Sequence, residues 1–152
     1  MTVTKNTIRQ LNALRRWREI QQLQSSATLM RATVEKSRSE QALSQANATL
    51  LLLQQQQRLQ RLAGRELDLS RYENHLLHGE FAAEAVNEKR QQLTASETRV
   101  QESRKALGQA QINLDISTTI LDRKRDELAT QIQKHDFSDV MDKQLSARGQ
   151  KR

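Results

Sequence analysis

VNEKRQQ LTASETR VQESRKA LGQAQIN LDISTTI LDRKRDE LATQIQK, residues 86–134, opens every block of seven with an aliphatic side chain: Val86, Leu93, Val100, Leu107, Leu114, Leu121 and Leu128. The only other large apolar residues in the stretch are Ile112, Ile116, Ile120 and Ile132. A seven-residue apolar repeat keeps one narrow line on a partner when a helix winds at about 3.5 residues per turn, the pattern of a left-handed supercoil. Residues 86–134 therefore read as one α-helix with a coiled-coil seam. Three residues beyond each aliphatic stand Lys89, Ser96, Ser103, Ala110, Ser117, Lys124 and Gln131, mostly small or polar where a self-sufficient zipper places a second aliphatic. Such a helix needs a partner.

The first half of the chain supplies a candidate. Alternate steps of three and four from Ile20 pass through Leu23, Ala27, Met30 and Val34 and continue to Leu69, Tyr72 and Leu76 without a stutter. A rival line through Leu43, Ala46, Leu50 and Leu53 broadens the face between Ser37 and Arg58. Between the two seams lies HLLHGEFAAE, residues 75–84. Here Gly79 suits the left-handed position after a helix end, His75 and His78 the last turn, and Glu80, Glu84 and Glu88 the start of the next helix. The expected architecture is all-α, a long antiparallel two-helix coiled-coil hairpin forming a single elongated domain over 1–152. Helix 1 is expected over about 5–76, the tip over about 77–80 and helix 2 over about 81–135. A short C-terminal helix or frayed tail, capped by Asp136 or Ser138, is expected over 138–152. Folding at that tip sets Leu107 near Leu50, Leu114 near Leu43 and Leu128 near Leu29, with Gly64 and Gly108 inside helices.

Composition agrees with this class. The 152 residues include no Pro, no Cys and only 3% aromatics, too few to build a globular core of ordinary kind. Mean hydropathy is −0.83, yet the apolar residues are periodic, which a disordered tail lacks. Without Cys there is no disulfide framework or thiolate metal site, which fits a reducing cytoplasm. MTVTKNTIRQLNALRRWREIQQLQ has no continuous apolar core and does not read as a signal peptide, while Leu50 to Leu53 is far too short to cross a bilayer.

The net charge of +7 sits mainly in residues 1–78, with twelve Lys or Arg against six Asp or Glu. Lys5, Arg9, Arg15, Arg16 and Arg18 cluster near the start, so the expected hairpin has a basic open end together with Lys143, Arg148, Lys151 and Arg152. Charges on outer faces keep such helices soluble. Nucleic acid would use them on phosphates, but stacking aromatics are missing apart from Trp17. The RRWR run instead holds the residue types that anchor protein interfaces, so a protein partner is preferred. A nucleic-acid-associated coiled coil and a self-assembling scaffold remain the alternatives.

No P-loop, dinucleotide fingerprint, HExxH or nucleophile elbow occurs. His75 and His78 have the i, i+3 spacing of two metal ligands but no convincing companions, and helix-end polarity accounts for them as well. Asp122, Asp126 and Glu127 among Arg123, Lys124 and Arg125 read as a solvated face. No catalytic residue, cofactor or metal is expected, and the chain is read as a non-enzyme.

A basic, Cys-free pair of long helices with the opening LNALRRWREIQQLQ and a second helix of sparse heptads resembles the FliJ/YscO family of type III secretion stalk proteins, including its HrpO-like members. The resemblance covers nearly the whole chain and rests on architecture and charge placement. It implies a coiled coil like that of the gamma subunit of rotary ATP synthases. Such a stalk docks its open end on a hexameric secretion ATPase and reaches the cytoplasmic domain of the export gate at the inner membrane. Some members bind secretion chaperones or are exported. Carried over to this chain, Arg9, Arg15, Arg16, Trp17 and Arg18 would engage the ATPase. Tyr72, His75, Leu77 and Phe81 would face the gate, although Tyr72 also lies on the expected seam.

Overall fold

The computed structural model describes residues 3–63 and 68–149. The chain is all-α, with two long helices, α1 (Lys5–Leu62) and α2 (Leu69–Gly149), packed against each other as an antiparallel hairpin. Each start has a side-chain cap. The Thr7 amide donates to Thr4 Oγ1 at 3.2 Å, and the Ser70 amide to Asp68 Oδ1 at 3.2 Å, so each cap satisfies one of the amides that a helix start leaves orphaned.

The single domain expected over 1–152 divides into two compact units: residues 1–25 with 107–152, and residues 26–106. In the first unit α2 turns Ala110, Ser117 and Leu121 inward, with Leu107, Leu114, Lys124 and Leu128 half-buried on the same line. Leu121 is completely enclosed. Opposite it, α1 half-buries Ile8, Leu11, Arg15, Arg18, Gln22 and Ser25. Across one edge of the pair, Arg125 donates to Asn12 Oδ1 at 3.0 Å.

In the second unit α2 buries Val86, Ser96 and Val100, while α1 buries Ala32 and half-buries Leu29, Lys36, Ser39, Leu43, Ala46, Leu50 and Leu53. The seam hydroxyls of Ser96 and Ser39 are satisfied within the pair. Ser96 Oγ donates to the Gln92 carbonyl at 2.9 Å and so is free to accept from Ser39 Oγ at 3.0 Å. This is why serine is tolerated in a buried seam. Arg99 and Glu35 pair across the edge at 3.3 Å.

The seam expected in α2 is present residue for residue, but the one expected in α1 is not. Ile20, Leu23, Met30 and Val34 are exposed, Leu23 and Met30 at 65% and 69%. The rival line through Leu43, Ala46, Leu50 and Leu53 is the inner face. Two of its small members, Ser39 and Ala32, stand opposite the small residues Ser96 and Ser103 of α2, and close packing of two helices favours that match over side-chain bulk. The register shifts with it. Ser39 stands opposite Ser96, about three heptads away from the alignment that would set Leu107 on Leu50, Leu114 on Leu43 and Leu128 on Leu29.

The turn is also elsewhere. α1 ends at Leu62 instead of 76, and α2 begins at Leu69 instead of 81, so the expected tip at 77–80 lies inside α2. The heptad line of α2 continues backward without interruption through Ala82, Gly79, His75 and Tyr72, and this continuity overrides the local stop signals around Gly79. Gly79 is half-buried, and a Cβ built on it would meet Gln57 Nε2 at 3.5 Å. Gln57 Nε2 itself donates to the His75 carbonyl at 3.0 Å. Toward its end α2 runs unbroken to Gly149 with no separate helix after 138; residues 150–152 and Gly64 lie outside the described residues. Gly108 is inside α2, as expected.

Two substitutions test this arrangement. Leu121→Ala removes the large side chain that is fully enclosed among the described residues and should cost roughly 2–5 kcal/mol in urea unfolding, with little loss of starting helicity. Gly79→Ala should leave stability unchanged or raise it by up to about 1 kcal/mol, as for a helix-interior glycine with room for a methyl group. A marked loss in the second variant would return the turn to Gly79.

Candidate interaction surface

The five cationic and aromatic residues near the start of α1 divide between its two faces. Arg15 and Arg18 occupy seam positions and are half-buried, while Arg9, Arg16 and Trp17 are exposed. The Arg15 guanidinium binds Glu19 one turn on, with Nη2 to Oε1 at 2.8 Å and Nε to the same oxygen at 3.1 Å. Arg18 donates to Gln21 Oε1 at 3.0 Å, and its guanidinium carbon lies 4.7 Å from the centre of the Trp17 ring, a cation–π contact. Its Nε is buried and has no hydrogen-bond partner. Among the described residues neither Arg9 nor Arg16 forms an ion pair. Arg15 and Arg18 thus serve partly to close the helix pair, and the groups free to meet another molecule are Arg9, Arg16 and the outer side of Trp17.

The first unit carries thirteen Lys or Arg against eight Asp or Glu, and most of the excess comes from residues 1–25. The basic cluster expected at an open end is therefore real as a property of this unit, but its pairing is different. The Asn12–Arg125 bond sets this part of α1 beside the middle of α2 and not beside Lys143 and Arg148. Residues 132–149 of α2 are exposed throughout, including Phe137, Val140, Met141 and Leu145.

The second group, Tyr72, His75, Leu77 and Phe81, is not at a tip but roughly one to three turns inside α2. Tyr72 and His75 line a cleft of about 310 Å³ together with Leu59, Ala63, Asp68 and Arg71, next to the connection between the helices. Leu77 and Phe81 are exposed on α2 and take no part in it. Among the described residues no cluster of three or more His, Cys, Asp or Glu side chains is arranged to hold a metal ion, and His75 and His78 acquire no third ligand. None of the described helices is long and apolar enough to cross a membrane.

One apolar patch escaped the sequence reading. Let each heptad be lettered a to g, with Leu107, Leu114 and Leu121 at a in α2 and Ile8, Arg15 and Gln22 at a in α1. The residues that face across an edge of an antiparallel pair then share a letter: Asn12 and Arg125 at e, Glu35 and Arg99 at g. By the same rule Leu14 and Ile120 face across the g edge of the first unit, with Trp17 and Ile116 next to them at c. All four are large, apolar and 39–52% exposed. The signal was present in the letters, but assigning them required the correct seam of α1.

No protein-family model, curated protein or solved structure matches the chain.

Because Arg16 and the outer side of Trp17 support no buried packing, the double substitution Arg16→Ala/Trp17→Ala should change unfolding free energy by about 1 kcal/mol or less, the share of the Arg18 stack. Circular dichroism during urea titration measures it.

Proposed function

We propose that this chain is a non-enzymatic stalk or adaptor of a type III secretion export apparatus, as its resemblance to the FliJ/YscO family implies. In this reading its basic first unit docks on a hexameric secretion ATPase. The second unit, through the exposed Leu77 and Phe81 and the cleft at Tyr72 and His75, serves as the contact toward the export gate, and exposed helix faces receive secretion chaperones. It works at the cytoplasmic side of the inner membrane. The observation that supports docking most directly is the exposure of Arg9, Arg16 and Trp17 on the outer side of this unit. Trp and Arg left accessible on a rigid helix are typical anchors of protein interfaces. A surplus of positive charge on the same unit also speeds approach to an acidic surface.

The test is stimulation of the cognate secretion ATPase by purified protein. Wild type should raise hydrolysis or ring assembly, and Arg9→Glu/Arg16→Glu/Trp17→Ala should reduce the effect by about tenfold or more while helicity is retained. Equal stimulation by the triple variant removes the docking site. Retention of DNA or RNA at low salt, lost together with the same charges, would favour a nucleic-acid-associated coiled coil instead.

A further inference from the structure

We infer that the hairpin has a second register, in which α1 pairs three heptads farther along α2 and the chain turns within residues 75–80. The register of this structure is held at few points: Gln57 stands beside Gly79 at a, Ser39 bonds Ser96 at d at 3.0 Å, and Glu35–Arg99 and Asn12–Arg125 close the edges. Exposed edge pairs of this kind contribute little to stability. Along α2 the seam hardly varies from Val86 to Gln131, with an aliphatic residue at a and a small or polar one at d. Sliding α1 by whole heptads therefore returns each of its letters to the same letter of α2.

A shift of three heptads is singled out by what it brings together. Ser39 moves from Ser96 to Ser117, whose Oγ donates to the Asn113 carbonyl at 2.8 Å as that of Ser96 donates to Gln92, so the same acceptor site is open to Ser39. Leu50 and Leu43 exchange Val86 and Leu93 for Leu107 and Leu114, aliphatic for aliphatic. Residues 8–25 come to face the run 132–149, which is exposed throughout in this structure. There Leu11 at d meets Leu145, Leu14 at g meets Met141, and Arg15 at a meets Asp142; Leu145 and Met141 are 62% and 44% exposed in the present register.

The turn moves with the register. Each heptad of sliding carries it three to four residues along the chain, so one or two heptads place it within residues 66–76, where there is no glycine. Three heptads bring it to HLLHGE, where Gly79, the histidines before it and the glutamates after it supply the stop and start signals that α2 overrides in this structure. Two packings of one chain that exchange like for like are biased by whatever binds one of them better. A partner that holds residues 8–25 against 107–131 selects the register seen here, and one that holds the turn at Gly79 selects the other. This reading goes beyond the proposed docking role and uses none of its residues.

The chain has no cysteine, so engineered pairs report the register directly. Full-length Ser39→Cys/Ser96→Cys and Ser39→Cys/Ser117→Cys are oxidised at low protein concentration, beside Ser39→Cys/Ala110→Cys, which only a two-heptad shift would join. The first pair should close within single molecules at once, the second should close more slowly, and the third should stay reduced. Leu11→Cys/Leu145→Cys should close at the pace of the second, which keeps the test decisive if a change at residue 39 disturbs the seam. Adding Gly79→Ala should slow the second pair by about tenfold and leave the first unchanged, because alanine is favoured inside a helix and disfavoured at a left-handed position after its end. The trapped 39–117 form should keep the helicity of the parent chain. Four results overturn the inference: no 39–117 disulfide within single molecules, equal closure of the 39–110 pair, indifference of the 39–117 pair to Gly79→Ala, or loss of helicity in the trapped form.

Discussion

The narrow seam of α2 is the constraint from which the other features follow. One aliphatic and one small or polar residue per heptad make a strip just wide enough for a single neighbouring helix. The neighbour that fits is a face of α1 built in the same way, from Leu29, Ala32, Ser39, Leu43, Ala46 and Leu50. Serine is affordable there because its hydroxyl returns to the carbonyl one turn back, as at Ser96 and Ser117, at 2.9 and 2.8 Å. A broader, greasier strip on α2 would have selected the bulkier line of α1 and turned Ile20, Leu23, Met30 and Val34 inward.

That competition between two faces of α1 marks the boundary of what could be read from sequence. Helix content, antiparallel pairing and the whole α2 seam were legible, because a strict period over residues 86–134 admits one interpretation. In α1 the count of large apolar residues pointed to the wrong face, since counting rewards bulk whereas two helices at close range reward matched size. The error propagated: with the wrong α1 face, the line through Leu69, Tyr72 and Leu76 was assigned to the first helix, and the turn moved to Gly79. Asp68, followed two residues later by the Ser70 amide it caps, was the competing start signal. It was weaker on paper than a glycine flanked by histidines and glutamates.

The candidate site was legible by type more than by position. Arg9, Arg16 and Trp17 are exposed as an interface requires, whereas Arg15 and Arg18 belong largely to the helix pair, a distinction that depends on which face of α1 is inward. Tyr72 and His75 share a cleft, but Leu77 and Phe81 stand apart from it. Leu14, Trp17, Ile116 and Ile120 drew no notice as a group because nothing in linear order connects the two pairs. Only the pairing of residue 12 with residue 125 does so.

The exposed run 132–149 of α2 has a thermodynamic consequence. With no opposing face to hold it, its helicity depends on local propensity and on short-range pairs such as His135 with Asp139, at 3.2 Å. A helix of that length is marginal in water on those terms. Unwinding there costs little and runs on the sub-microsecond scale of helix–coil exchange. It also stops before the enclosed layer at Leu121, so the protein can melt and reform this exposed segment while the paired region keeps its amides protected.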